Sequence, residues 1–331
     1  MTNTTQYPMR LTPVLKQAIW GGRNLEMFGR TLPAGKIAES WEIAAHPNGS
    51  SIVINGTHAG KSLAELTLEL GTKLVGTNGE WAVERGKFPL LVKLIDANDR
   101  LSVQVHPKDD YARLNEGNEL GKTEMWVLLK AKENAQLIYG VKKGATPQSF
   151  RQAVENGMVE SQLQFVSIKT GDHVSVPAGT VHAIMEGEII AEIQQNSDTT
   201  YRVYDWNRTG ADGKPRELHI DKALDVIDFE HPDPKLEPAA WIESNENFHR
   251  YRLCANEYFI TERIELQAGA SYNGKCDGSS LEIWGIIQGS VHLNTEEVSA
   301  IEFVLLPAQM GAYIITSDEG AVLLRTYLPE K

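Results

Sequence analysis

Cysteine is nearly missing from this chain: Cys254 and Cys276 are the only two, and no CxxC pair occurs. That excludes a disulfide-built scaffold and a cysteine-ligated zinc site, and makes a reducing cytoplasm the expected compartment. No apolar run is long enough to cross a membrane as a helix. The opening stretch "MTNTTQYPMRLTP" lacks the basic start and apolar middle of a secretion signal. Positive charge is scarce too. The formal net charge is −12 and no basic block occurs, which argues against nucleic acid or an anionic membrane as partner. An anionic ligand would need a local cluster of Lys and Arg. Heptad runs and low-complexity tracts are also absent.

What is present is a globular composition, 41% hydrophobic and 23% charged over 331 residues, enough for two modest domains. Short β-branched segments separated by Gly, Pro and Asn dominate: "SSIVING" (50–56), "FPLLVKLID" (88–96), "EMWVLL" (124–129), "HVSVPAG" (173–179) and "EIIAEIQQ" (188–195). They predict an all-β sandwich or barrel. Helical patterns are fewer and read as insertions on that scaffold. They are "SLAELTLELGTKLVG" (62–76), a helix beginning within "PKDDYARLN" (107–115), and "TPQSFRQAVENG" (146–157), with Thr146 as N-cap and Pro147 in the first helical position. Near residue 232, "HPDPKLEPAA" carries three prolines and reads as a linker, after which strands resume. Two domains are expected, 1–238 and 239–331.

A weak internal repeat supports that division. "TEMWVLLKAKENAQLIYG" resembles "LEIWGIIQGSVHLN", which sets Glu124 and Trp126 opposite Glu282 and Trp284. "VPAGTVHAI" resembles "LPAQMGAYI", with Pro177 opposite Pro307 and His182 opposite Ala312. No Gln-x-His precedes the second copy, which keeps the scaffold and lacks the polar cluster, so the chemistry is expected in the first.

Those polar residues sit on apolar strands. In "LSVQVHPKDDYA" (101–112), Ser102, Gln104 and His106 share one strand face, and Val103 and Val105 share the other. With Glu124 and His182 they make two imidazoles, a carboxylate and an amide, a mixed nitrogen and oxygen set of the kind that binds a catalytic divalent cation. A single buried histidine is more often a hydrogen-bonded core residue, so the pattern has to carry the reading. "GDHVSVPAGTVH" (171–182) matches the second cupin motif, in which Pro177 and Gly179 fix a tight turn ahead of His182.

The larger set is more specific. "FPLLVKLIDANDRLSVQVHPKDDYA", "GKTEMWVLL", "VPAGTVHAI" and "AEIQQNSDTTYRVYDWNR", in this order, resemble the type I phosphomannose isomerases, and "QAIWGGRNL" and "AESWEIAAHPNG" resemble their N-terminal region. The length is similar to the short bacterial form. The resemblance implies two cupin jelly-roll domains, the first catalytic and the second without metal. It also implies one Zn2+ per chain, bound by His106, Glu124 and His182, with Gln104 as a possible fourth ligand. Arg202 stands at the family's catalytic arginine and Lys122 at the lysine of its K-x-E motif. Lys93, Ser102 and Gln104 stand at pocket positions. The implied reaction interconverts mannose 6-phosphate and fructose 6-phosphate through an enediol(ate), in a monomer.

Plainer roles stand beside these. Lys122 and Glu124 could form a surface ion pair, Lys93 could reach out to solvent, and Arg202 could anchor "YDWNR" through Asp205. Glu42, His46 and Trp20 are expected to be structural. His219, His231, His249 and His292 show no ligand spacing. The proton-carrying base stays open among Lys122, His46 and a metal-bound hydroxide. Two other functions fit parts of the pattern: a non-haem iron oxygenase, which uses two histidines and a carboxylate, and a non-catalytic sugar-phosphate sensor.

Overall fold

The computed structural model describes residues 7–210, 213–231 and 234–330. Pro232 and Asp233 of the proline-rich linker, and the first six residues of the opening stretch, lie outside them. The chain divides into two compact units. One holds Leu15–Ser40 and Lys93–Glu237, and the other holds the residues up to Val14, Trp41–Val92 and everything from Pro238 onward. A division falls at 237/238, but residues up to 14 and 41–92 go with the C-terminal part, which the 1–238 reading does not describe. The physical reason is a long-range pairing. Met9–Thr12 joins the C-terminal sheet, with Met9 opposite Leu305 on one side and Leu11 opposite Val53 on the other. Such pairing leaves no local signature in sequence.

The all-β expectation holds in both units. The unit containing the C-terminus has an eight-stranded and a four-stranded antiparallel sheet. Its core gathers Ile264, Leu266, Tyr272, Trp284, Leu293, Tyr313 and Leu323. The expected helix at 62–76 is two helices, Leu63–Leu70 and Thr72–Val75. Ser62 and Glu65 form a capping box at its start, and Gly71, at φ +52°, breaks it.

The other unit builds the site. One sheet runs Leu163–Ser167, Gln136–Val141, His182–Ala183, Val103–Val105, Tyr201–Tyr204. The second runs His173–Val176, Glu124–Lys130, Glu188–Gln195, Leu90–Ala97, Glu39–Ile43, Val14–Lys16. Its last three strands carry the chain from one unit into the other. Val103 and Val105 point into an apolar layer with Val181, Tyr201, Val203 and Trp206. The helices Pro147–Glu155 and Ile220–Val226 close that layer through Phe150 and Ala223. With the valines facing that layer, strand alternation turns Gln104 to the opposite face. Among the described residues no helix is long and apolar enough to cross a membrane.

Candidate metal centre

Adjacent strands set three polar residues side by side. Gln104 is the register partner of His182 on one neighbouring strand and of Arg202 on the other. Residues directly opposite in antiparallel strands share a face, so the row His182, Gln104, Arg202 lies on one surface. The second sheet supplies Glu124 at the start of its strand, register partner of both Val176 and Gln194, and Glu192, partner of Trp126. His106 follows the Val103–Val105 strand and Lys122 precedes Glu124. Gly179 N–H donates to the His106 carbonyl at 2.9 Å, which ties the Pro177–Gly179 turn to that strand.

Donor atoms of His106, Glu124 and His182 lie within 4.8 Å of one another, and all three residues are buried. His106 Nδ1 is 2.8 Å from the Thr199 carbonyl and His182 Nδ1 is 2.9 Å from the Thr180 carbonyl. A carbonyl only accepts, so each Nδ1 carries the proton and each Nε2 keeps its lone pair, with Lys122 Nζ 3.2 Å from that of His106 and Gln104 Nε2 3.4 Å from that of His182. Burial, then the Lys122 ammonium 3.2 Å away, pushes His106 down to about 3. Burial likewise pushes His182 down. Both rings are therefore neutral at neutral pH, the form that binds metals. Burial alone would raise Glu124, but the Lys122 ammonium outweighs it and holds the carboxyl well below the usual range.

The donor set fits a cation. His106 Nε2 and Glu124 Oε1 are two acceptors facing each other at 3.2 Å, and His182 Nε2 is 3.8 Å from Glu124 Oε2. Trp126 Nε1 donates to Oε2 at 3.1 Å. Oε1 has Lys122 Nζ at 2.8 Å as an ion-pair partner but no aligned hydrogen bond. Acceptors converging in a buried place repel one another unless positive charge lies among them, and the Lys122 ammonium, 2.8 Å from Glu124 Oε1 and 3.2 Å from His106 Nε2, supplies part of it. Gln104 Nε2 is 3.4 Å from His182 Nε2, and Ser102 Oγ donates to Gln104 Oε1 at 3.2 Å. Turning that amide exchanges its nitrogen and oxygen, which would present an oxygen to the same place.

A cavity of about 380 Å³ opens beside these residues, in the size range of a small-ligand site. Lys93, Ser102, Gln104, Lys122, His182 and Arg202 all line it. The plainer roles do not describe them. Lys122 and Glu124 form a buried pair, and Lys93 is buried beside Glu192 at 3.1 Å and Glu39 at 3.4 Å. Burial alone would lower Lys93, but these carboxylates outweigh it, raise its pKa and keep it charged. Arg202 does not pair with Asp205, whose carboxylate takes Arg208 and Arg216. Glu42 and His46 belong to the other unit, whereas Trp20 lines the cavity.

The family model for the phosphomannose isomerase type I catalytic domain matches residues 9–145. The mannose-6-phosphate isomerase ManA of Bacillus subtilis is 46% identical over 267 residues, 81% of this chain and 82% of that one. The mannose-6-phosphate isomerase of Streptococcus mutans is 44% identical, covering 80% and 83%. This chain belongs to the type I phosphomannose isomerase family. A crystal structure of the Bacillus subtilis mannose 6-phosphate isomerase superposes with a TM-score of 0.86 at 37% identity, covering 98% of this chain and all of that one.

For this member of the family, sequence reasoning missed four charged cavity residues: Glu39, Glu192, Asp198 and Arg216. Glu192 had a signal. It is a carboxylate inside the apolar run "EIIAEIQQ", every residue of which is buried. Burial, then the nearby Glu124 charge, pushes it up to about 7. Arg216 lies beyond the last recognised motif and had none.

Proposed function

We propose that this chain interconverts mannose 6-phosphate and fructose 6-phosphate, using one Zn2+ per chain held by His106, Glu124 and His182. The observation that carries the reading is the pair of neutral buried imidazoles, both with unprotonated Nε2 atoms on the side of the Glu124 carboxylate. Two nitrogens and a carboxylate, with room for water or substrate, suit catalytic zinc. The same triad would suit ferrous iron, and elemental analysis separates the two. Gln104 is the candidate fourth ligand.

Aldose–ketose isomerisation removes a proton from C2 and returns it at C1, and the sugar gains negative charge between the two events. A divalent cation bound here supplies Lewis acidity toward the sugar oxygens. Arg202 adds fixed positive charge at the other end of the His182–Gln104–Arg202 row. Its Nε donates to Ser102 Oγ at 3.3 Å and its Nη1 to the Glu217 carbonyl at 2.8 Å, which orient the guanidinium before substrate arrives. Lys93, between Glu192 and Glu39, offsets part of their negative charge. Lys122 Nζ and the Glu192 carboxylate both line the cavity and are the groups placed to move the proton. A cytoplasmic monomer acting on the free sugar phosphate belongs to the same reading.

A coupled assay with mannose 6-phosphate tests it. Chelation should abolish turnover and zinc should restore it, and His182→Ala should lose the metal. Full turnover in metal-free protein would overturn the proposal, and iron with oxygen consumption would replace it.

A further inference from the structure

We propose that Arg216, held in place by Asp205, is the residue that recognises the phosphate of the substrate. The proposal rests on the isomerase reading and deepens it.

An overall acidic chain has to hold a dianion, and four cations line the cavity: Lys93, Lys122, Arg202 and Arg216. Both lysines are already neutralised. Lys93 lies between Glu192 and Glu39, and Lys122 lies 2.8 Å from Glu124, all in buried surroundings. These carboxylates belong to the metal end of the cavity and would repel a phosphate brought there. The two arginines differ. Arg202 hydrogen-bonds only neutral groups, Ser102 Oγ and the Glu217 carbonyl, and among the described residues no carboxylate forms an ion pair with it. Arg216 donates to both oxygens of Asp205, from Nε to Oδ2 at 2.7 Å and from Nη2 to Oδ1, and Asp205 is shared with Arg208, whose Nη2 reaches Oδ1 at 2.7 Å and whose Nη1 reaches Asp99 Oδ2 at 3.2 Å. Arg202, Arg208 and Arg216 thus meet two carboxylates, and positive charge is left over at this end of the cavity.

The two guanidiniums also oppose each other. Arg202 is half-buried, and after burial itself the Arg216 charge is the main influence that disfavours its protonated form. Two like charges held near one another at a cavity wall are relieved by an anion between them. Guanidinium groups grip phosphate through paired N–H donors, which a lysine cannot reproduce. The placement suits the substrate. Arg202 is two strand positions from His182 across the sheet, roughly 10 Å, and in a hexose 6-phosphate the phosphate lies at the opposite end from the reacting carbons. Ser102 and Thr200, also on the lining, offer hydroxyl donors.

The test is steady-state kinetics of the intact metal-loaded protein on mannose 6-phosphate, with inorganic phosphate as a competitive probe. Arg216→Gln should raise the KM and the inhibition constant of inorganic phosphate together, each about 10–100-fold, while kcat falls by a smaller factor. Arg216→Lys should recover only part of the loss. Should Arg216→Gln fail to fold, Arg216→Lys carries the same comparison with a smaller rise. Loss of kcat with an unchanged KM and an unchanged inhibition constant would overturn the assignment. Wild-type protein that binds inorganic phosphate through Arg216 yet leaves mannose 6-phosphate unconverted would sink the isomerase reading and keep the anchor. Normal wild-type turnover with an indifferent Arg216→Gln would sink the anchor alone.

Discussion

Glu124 and Glu282 occupy the same station in two β-frameworks. Each stands two residues before a tryptophan that donates its indole N–H back to it, at 3.1 Å from Trp126 and 2.9 Å from Trp284. Each pairs with the residue just before a proline, Val176 in one case and Leu306 in the other. On the strand to the other side, Trp126 pairs with Glu192 and Trp284 with Arg325. There the likeness ends. Around Glu282 the chain supplies its own cation: Arg325 Nε donates at 3.0 Å, and Tyr313 adds a hydroxyl. Glu262 completes the network with Arg250 and Tyr327. Even the order of charge is reversed, Lys93 facing Glu192 in one unit and Glu262 facing Arg325 in the other. A guanidinium bonds both oxygens of one carboxylate, whereas the other has the Lys122 ammonium at one oxygen and two unprotonated imidazole nitrogens beside it. The same frame thus yields a closed polar core or a candidate metal centre, depending on whether a strand carries arginine or glutamate.

The comparison breaks most visibly at the carboxylates themselves. Glu124→Gln should strip the metal and cut turnover by about 10³-fold, while Glu282→Gln should leave the metal-to-protein ratio at the wild-type value in elemental analysis. Next in size is stability. Arg325→Met leaves Glu282 and Glu262 buried with less positive charge, so urea unfolding should show a loss of about 3–5 kcal/mol with metal content unchanged. Adding Glu282→Gln to it should restore part of that loss.

Glu188 sharpens the contrast, being a buried carboxyl with neither metal nor arginine. Neither oxygen has an aligned hydrogen bond, and burial outweighs the Met185 N–H and Lys132 and pushes it up to about 8 from an ordinary 4.5. Between these two pH values the unfolded chain has released the proton and the folded chain keeps it. Stability therefore falls as pH rises through that window, and the loss is complete above about 8. Glu188→Gln does not titrate, so it should gain on the wild type across the same window, by an amount on the order of a few kcal/mol. The two should melt with the same difference at every pH below 4. The smallest effect is expected at Ser102→Ala, which removes one of the bonds orienting Arg202. It should lower kcat/KM by about threefold to tenfold, read in the same coupled assay.

Much of the candidate site was legible because its residues lie in short local patterns. The turn at Pro177–Gly179, the alternation in "SVQVH" and the E-x-W pairing are each set within a few residues, and the paired strands carry them into register. The helix at Pro147–Glu155 was equally local, with Thr146 and Ser149 closing its capping box. What escaped depends on distant chain segments. Met9–Thr12 finds its partner almost 300 residues away in sequence, so no window of sequence places it in the C-terminal sheet. Glu39 and Asp198 reach the cavity only once the sheets face each other. Arg216 reaches it through Asp205, and nothing in "GKPREL" marks that contact.

Titration of chelator-treated protein with zinc, followed through turnover of mannose 6-phosphate, tests the central claim most directly. Turnover should start near zero, rise in proportion to added metal, and break at one equivalent per chain. Turnover before any metal is added, or a break at two equivalents, would contradict a single open centre in the unit that carries Glu124.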